Sequence, residues 1–136
     1  MGGKYQVIVL DASAVIALIR GEPGAAAVEA AVFVDQPLMS AVNYSETLQK
    51  LARLGIERDF VEEAINDFEV VIASLNQPLA RLAADFYRHG SGLSFADRAC
   101  LATAKVFAAS AYTADKKWLD YGSEFGVEVV DIRQAS

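Results

Sequence analysis

The chain has one cysteine, one histidine and one tryptophan in 136 residues, and these shortages exclude several kinds of protein. A lone Cys100 forbids an intrachain disulfide framework, and a chain of this length buries roughly two thirds of its unfolded surface without such staples. Its setting, "ADRACLATA", is that of a small buried hydrophobe, and such usage suits a reducing, cytoplasmic compartment. Positive charge is scarce as well. Twelve Lys and Arg stand against 18 Asp and Glu, a net charge of −6, which excludes a broad phosphate-binding surface but leaves room for a small basic rim around a metal site. No apolar run approaches the roughly 20 residues of a membrane span. The opening "MGGKYQ" lacks the apolar stretch of a signal peptide, and residues 1–4 read as a disordered or cloning remnant. Repeats, low-complexity tracts and Pro/Ser-rich linkers are missing too, so residues 1–136 read as a single domain.

What the sequence does contain is a hydrophobic period that switches repeatedly. "YQVIVL" is a β-branched run suited to a strand buried on both faces, and "SAVIALI" and "GAAAVEAAVFV" read as helices separated by the turn "RGEPG". "PLMSAV" reads as a short strand leading into the helix "NYSETLQKLARLG", stopped by Gly55, and "ERDFVEEAINDF" as a further helix. Then follow the strand "EVVIAS", a helix "QPLARLAADFYRHG" closed by Gly90, and a helix "SFADRACLATAKVFA" begun by Ser94. The strand "SAYTA", the short helix "DKKWLDYG" and the strand "VEVVDI" end the chain. Strands alternating with helices predict an α/β domain, a parallel sheet of four to five strands covered on both faces.

Sites in such sheets form beyond the carboxyl ends of the strands, and four acids map to that rim. Asp11 follows the first strand, Glu46 opens the helix after "PLMSAV", Asp97 opens the helix after "GSGLS", and Asp115 follows "SAYTA". Each has an ordinary explanation as a helix cap: Ser94 with Asp97 has capping-box spacing, Asn43 with Glu46 a similar one, and Asp11 and Asp115 stand at N-cap positions. Capping does not explain why acids are chosen four times on one side of one sheet. Two carboxylates 4 Å apart repel by about 4 kcal/mol at an effective dielectric near 20, so such a group calls for a cation. Oxygen ligands without nearby His or Cys select a hard ion, Mg²⁺ or Mn²⁺, whose common work is on phosphoryl oxygens.

The motifs "VIVLDASAVIALIRGE", "MSAVNYSETLQKL", "GSGLSFADRACLATA" and "YTADKKWLDYG" with "GVEVVDIR" together resemble a PIN-domain ribonuclease, in particular the VapC-type toxins of toxin-antitoxin pairs. The likeness spans most of the chain and is weakest between about residues 56 and 78. It implies a three-layer α/β/α fold and a metal-dependent endoribonuclease that hydrolyses RNA phosphodiester bonds and inhibits translation or growth. Asp11, Glu46, Asp97 and Asp115 would hold Mg²⁺ or Mn²⁺ and carry catalysis, with Ser13 and Thr113 lining the same pocket. The resemblance further implies a homodimer and an antitoxin partner. The apolar helix "AAAVEAAVFV" and the overall apolar composition point the same way, to a homodimer that also takes an apolar antitoxin segment in a groove close to the acids.

Arg98, Lys116 and Lys117 lie beside the acids in sequence and are candidates for the RNA backbone, although charges on a short helix usually face solvent. His89 is expected to interact with its helix terminus rather than to catalyse. Trp118, Tyr44 and Tyr121 are candidates for base stacking, with Trp118 expected instead to pack on the sheet. Two other classes compete: an acyl-phosphate-handling receiver or phosphatase, and a non-catalytic PIN-like binding module. The phosphatase needs a second aspartate where Ser13 stands. The receiver needs an acceptor aspartate after a middle strand, and "EVVIASLNQ" has none.

Overall fold

The computed structural model describes residues 6–134; the reading of residues 1–4 as a remnant lies outside them. Among the described residues five strands alternate with seven α-helices. The strands β1 (Val7–Leu10), β2 (Gln36–Ser40), β3 (Val71–Ala73), β4 (Ser110–Thr113) and β5 (Val129–Asp131) form one sheet in the order β3-β2-β1-β4-β5. Every pairing is parallel. The central β1 pairs on both sides, Val9 with Leu38 of β2 and with Ala111 of β4.

Alternation along β1 explains the layers. Ile8 and Leu10 point into a core with Met39 and the helices α1 (Ala12–Arg20), α2 (Ala25–Val34), α3 (Ala41–Arg53) and α4 (Arg58–Asp67). Val9 points the other way, with Leu38 and Ala111, toward α5 (Gln77–Asp85), α6 (Phe95–Val106) and α7 (Leu119–Phe125). A strand buried on both faces must be apolar at every position, and "VIVL" is. The three-layer α/β/α arrangement with a parallel sheet is the one expected from the alternation.

Several boundaries differ from the sequence reading, each for a local reason. "PLMSAV" does not continue as a strand: β2 ends at Ser40, whose Oγ accepts from Val42 N at 3.2 Å and starts α3 two residues earlier. Ser40 is therefore the N-cap, and Asn43, expected to cap, lies inside α3 and is buried. "EVVIAS" is shortened because Glu69 adopts φ 59° in the turn that closes α4, and β3 begins at Val71. The helix expected to reach Gly90 ends at Asp85, where Arg88 turns back and donates to the carbonyls of Asp85 and Tyr87. His89 thus lies exposed in the loop beyond α5 rather than at a helix end. "DKKWLDYG" divides into a 3₁₀ turn, Lys116–Trp118, and α7, which runs on to Phe125.

Candidate functional site

Asp11 stands one residue past β1, where its backbone N still donates to Tyr112 O at 3.1 Å, and its side chain is only 6% exposed. One carboxylate oxygen, Oδ1, accepts from Ala14 N at 2.8 Å and from Ser13 Oγ at 2.7 Å; the other, Oδ2, accepts from Thr113 Oγ1 at 2.6 Å. Asp11 therefore caps α1 and is held from β4 at once. Ser13 also accepts from Ala114 N at 2.8 Å, and Thr113 from Asp115 N at 3.0 Å, so the two hydroxyls lash the loop after β4 to the start of α1. All three groups that donate to Asp11 are neutral. Burial pushes its pKa up to about 6 despite the hydrogen bonds from Thr113, Ser13 and Ala14, and the negative charge of Asp97 adds to the rise.

Asp97 occupies the first turn of α6 in a complete capping box: its Oδ2 accepts from Ser94 N at 2.9 Å and its N donates to Ser94 Oγ at 3.1 Å. Burial raises its pKa, the Ser94 bonds and Lys117 oppose the rise, and Asp115 adds to it. Asp115 caps the 3₁₀ turn through Lys117 N at 3.1 Å and pairs with the Lys117 ammonium at 3.2 Å. Lys117 is thus the cation that faces two of the acids. Glu46 lies in the second turn of α3, paired with Lys50 at 3.4 Å. Lys116 is exposed and lines a cavity of about 540 Å³ with Ser13, Asp115 and Asp131.

Asp97 is the electrostatic neighbour of both Asp11 and Asp115. Cys100, one turn along α6 from Asp97 and fully buried, has its thiol pKa pushed well above the ordinary range by burial and then by the charges of Asp11, Asp97 and Glu46. A thiolate is the reactive form of cysteine, so Cys100 is expected to be inert. In the folded protein at pH 8 it should not react with an aromatic disulfide reagent, while the unfolded chain reacts at once. A native reaction as fast as the unfolded one would contradict this burial.

The ligand set consists of oxygens only, which fits a hard divalent ion. Among the described residues no three acids already stand together as a ready metal cage. A Mg²⁺ ion keeps several waters and is commonly held by one or two protein carboxylates. Asp11 and Asp97 would hold it, with Asp115 and Glu46 at the margin.

The remaining candidates are placed as follows. Arg98 does not extend freely beside Asp97: its Nη1 donates to Ala83 O at 2.8 Å and stitches α6 to α5. Trp118 is completely buried in the core beneath the sheet, as expected for packing. Tyr121 stacks on Phe125, with ring centroids 5.9 Å apart, and Tyr44 OH donates to Glu62 at 2.9 Å. The sequence reading missed the work of Asn43. Its Nδ2 donates to Ala96 O at 3.1 Å, tying the helix of Glu46 to the turn of Asp97. The only signal was its place one turn before Glu46 on the same helix face. A cavity of about 700 Å³ is lined by α2 residues including Phe33 and by Asp67, Phe68 and Glu69. It lies at the amino ends of β2 and β3, so the expectation of the apolar groove close to the acids is not met by it.

No curated protein sequence matches the chain. Among solved structures, a toxin-antitoxin complex from Klebsiella pneumoniae matches with a TM-score of 0.69 at 21% identity, over 92% of this chain and 97% of that one. FitAcB from Neisseria gonorrhoeae matches with a TM-score of 0.63 at 20% identity, over 92% and 97%. PAE2754 from Pyrobaculum aerophilum matches with a TM-score of 0.56 at 20% identity, over 99% and 93%. At such identities the likeness establishes the fold alone. The family pattern described as PIN domain matches residues 8–124, most of the chain. A buried aspartate after the first strand, three further acids on the same edge, a five-stranded parallel sheet and this sequence match together make the chain a member of the PIN-domain family.

Proposed function

We propose that the protein is a Mg²⁺- or Mn²⁺-dependent endoribonuclease, the toxin of a VapC-type toxin-antitoxin pair. The observation that carries the reading is Asp11: a carboxylate held by three neutral donors, whose charge is opposed first by burial and then by Asp97, an arrangement that a bound cation would relieve. When bound, the ion lowers the pKa of a water and neutralises charge on phosphoryl oxygens. Ser13 and Thr113 fix both oxygens of Asp11 and so its direction. Glu46, partly exposed and beside Lys50, accepts the proton of the attacking water. Lys117, on the Asp115 side, and the exposed Lys116 offer charge to the RNA backbone, and the −6 chain offers little elsewhere.

The antitoxin partner is supported by the toxin-antitoxin structure among the neighbours and by apolar surface on α2, where Phe33 is 84% exposed. A homodimer belongs to the same reading, and a monomer in light scattering at every concentration would remove it. The activity is tested with purified, partner-free protein on structured and single-stranded RNA. Cleavage is expected with Mn²⁺ or Mg²⁺ and none in chelator. Survival of every RNA pool at high enzyme with both ions would overturn the ribonuclease, and an unchanged rate in chelator would overturn its metal dependence.

A further inference from the structure

Beside the acids lies a cluster of exposed rings that the reaction does not use. Phe95, the first residue of α6 and two before Asp97, is 48% exposed, and Tyr87, in the loop after α5, is 56% exposed. The Arg98 guanidinium lies over both rings, with its carbon 5.5 Å from the centre of Tyr87 and 5.8 Å from that of Phe95. Its bond to Ala83 O anchors it against α5. Phe95 also forms a wall of a cavity of about 530 Å³ whose other walls include Glu46, Ser45 and Gln49. One ring therefore touches both the open space and the acid edge.

We propose that Phe95, backed by Arg98 and Tyr87, is a stacking platform that receives a base of single-stranded RNA next to the scissile phosphate, with Ser45 and Gln49 facing the base edge. The proposal rests on the ribonuclease reading. Two observations favour a base over a protein segment. Phe95 and Glu46 line the same cavity, so a strand that reaches Glu46 passes Phe95. The chain is also acidic, and the nearby Lys117 and Lys50 are already paired with carboxylates, so the backbone contacts that Lys116 and Lys117 offer supply only part of the affinity. Stacking on an aromatic face adds affinity without any demand on surface charge and tolerates many sequences.

The test compares Phe95→Ala, Phe95→Leu and Phe95→Trp with the parent protein on a short single-stranded oligoribonucleotide, and on copies of it carrying one abasic position in turn. Melting curves confirm that each variant is folded. Phe95→Ala and Phe95→Leu are expected to raise KM by about 5- to 50-fold with kcat within about threefold, and Phe95→Trp to keep the parent KM. At one abasic position near the cut, the parent and Phe95→Ala should become equal. Four results would overturn the platform: an unmoved KM, rescue by Leu as complete as by Trp, a Phe95 effect that survives every abasic substitution, or a variant that changes only self-association. If the parent cleaves RNA and Phe95→Ala matches it, the platform fails and the ribonuclease stands. If the parent neither binds nor cleaves any strand, both fall.

Discussion

Asp11→Asn is expected to raise the melting temperature of the metal-free protein at pH 7 while removing both its stabilisation by Mn²⁺ and its RNA cleavage. The sign follows from the raised pKa. An aspartate that binds its proton with a pKa of about 6 in the folded protein and 3.8 when unfolded makes the folded state the better proton binder between those values. Stability therefore falls as pH rises from 4 to 6 and stays lower above it, by roughly 3 kcal/mol. Asparagine carries no charge to desolvate. Its Oδ1 can still accept from Ala14 N and Ser13 Oγ, which keeps the cap on α1. Its Nδ2 meets the Thr113 hydroxyl, which must turn its hydrogen elsewhere, at a cost of about 1 kcal/mol. The balance is a gain of about 1–2 kcal/mol, or roughly 3–8 °C. Mn²⁺ at 100 times its dissociation constant should stabilise the parent by about 2.7 kcal/mol and the variant hardly at all. Loss of cleavage by at least about 100-fold completes the pattern, since metal assistance contributes several kcal/mol to the barrier. Melting curves in chelator and in Mn²⁺ at pH 4.5 and pH 7, with an RNA assay beside them, read all of this. A variant that melts lower in chelator, still responds to Mn²⁺ and still cuts RNA would reduce Asp11 to an ordinary cap.

Trp118→Ala is expected to lower stability by about 3–5 kcal/mol, a loss large enough to unfold much of the population of a small domain. Trp118 ends the 3₁₀ turn capped by Asp115, is fully buried, and belongs to the core formed by α5, α6 and α7. Removing it empties the space beneath the turn that carries both Asp115 and Lys117, so activity should fall with stability. Trp118→Phe should cost much less, about 1 kcal/mol, for a specific reason. The indole Nε1 is buried without a hydrogen-bond partner, and deleting an unsatisfied donor offsets part of the lost packing. Denaturant unfolding of the two variants decides the matter. Equal losses in Ala and Phe would mean that the indole nitrogen is satisfied, and a small loss in Ala would mean that the ring is a surface group available to RNA.

Both predictions depend on features that were unequally legible in the sequence. The order of strands and helices was readable because a strand buried on two faces has to be apolar throughout, as in "VIVL", while helices show their 3.6-residue period and their caps. The placement of Asp11 and Asp115 after strands followed from that order alone, since parallel strands put all their carboxyl ends on one edge. Boundaries were less readable where one residue serves two elements. Ser40 is the last residue of β2 and the cap of α3, and no period in "PLMSAV" distinguishes the two roles. Glu69 was read as strand because its unusual φ is imposed by the turn that α4 and β3 close together.

The sequence by itself determined the α/β class, the parallel sheet, the acidic edge and the burial of Trp118 and Cys100, because each follows from local pattern and the need to hide apolar surface. Only the tertiary structure decided what the polar groups do to one another. Thr113 and Asp11 are 102 positions apart and Asn43 and Ala96 are 53 apart, distances along the chain at which pattern carries no information about contact. Arg98 could be read as a hand for RNA until α5 presented it with Ala83 O and the fold set it over the rings of Tyr87 and Phe95. Whether Asp11 was a cap or a charge in search of a cation could not be settled from the sequence, because in the folded protein one oxygen caps the helix while burial and Asp97 act on the carboxylate as a whole. Burial and electrostatic coupling are properties of the packed assembly, and they come into being only when the strands lie side by side.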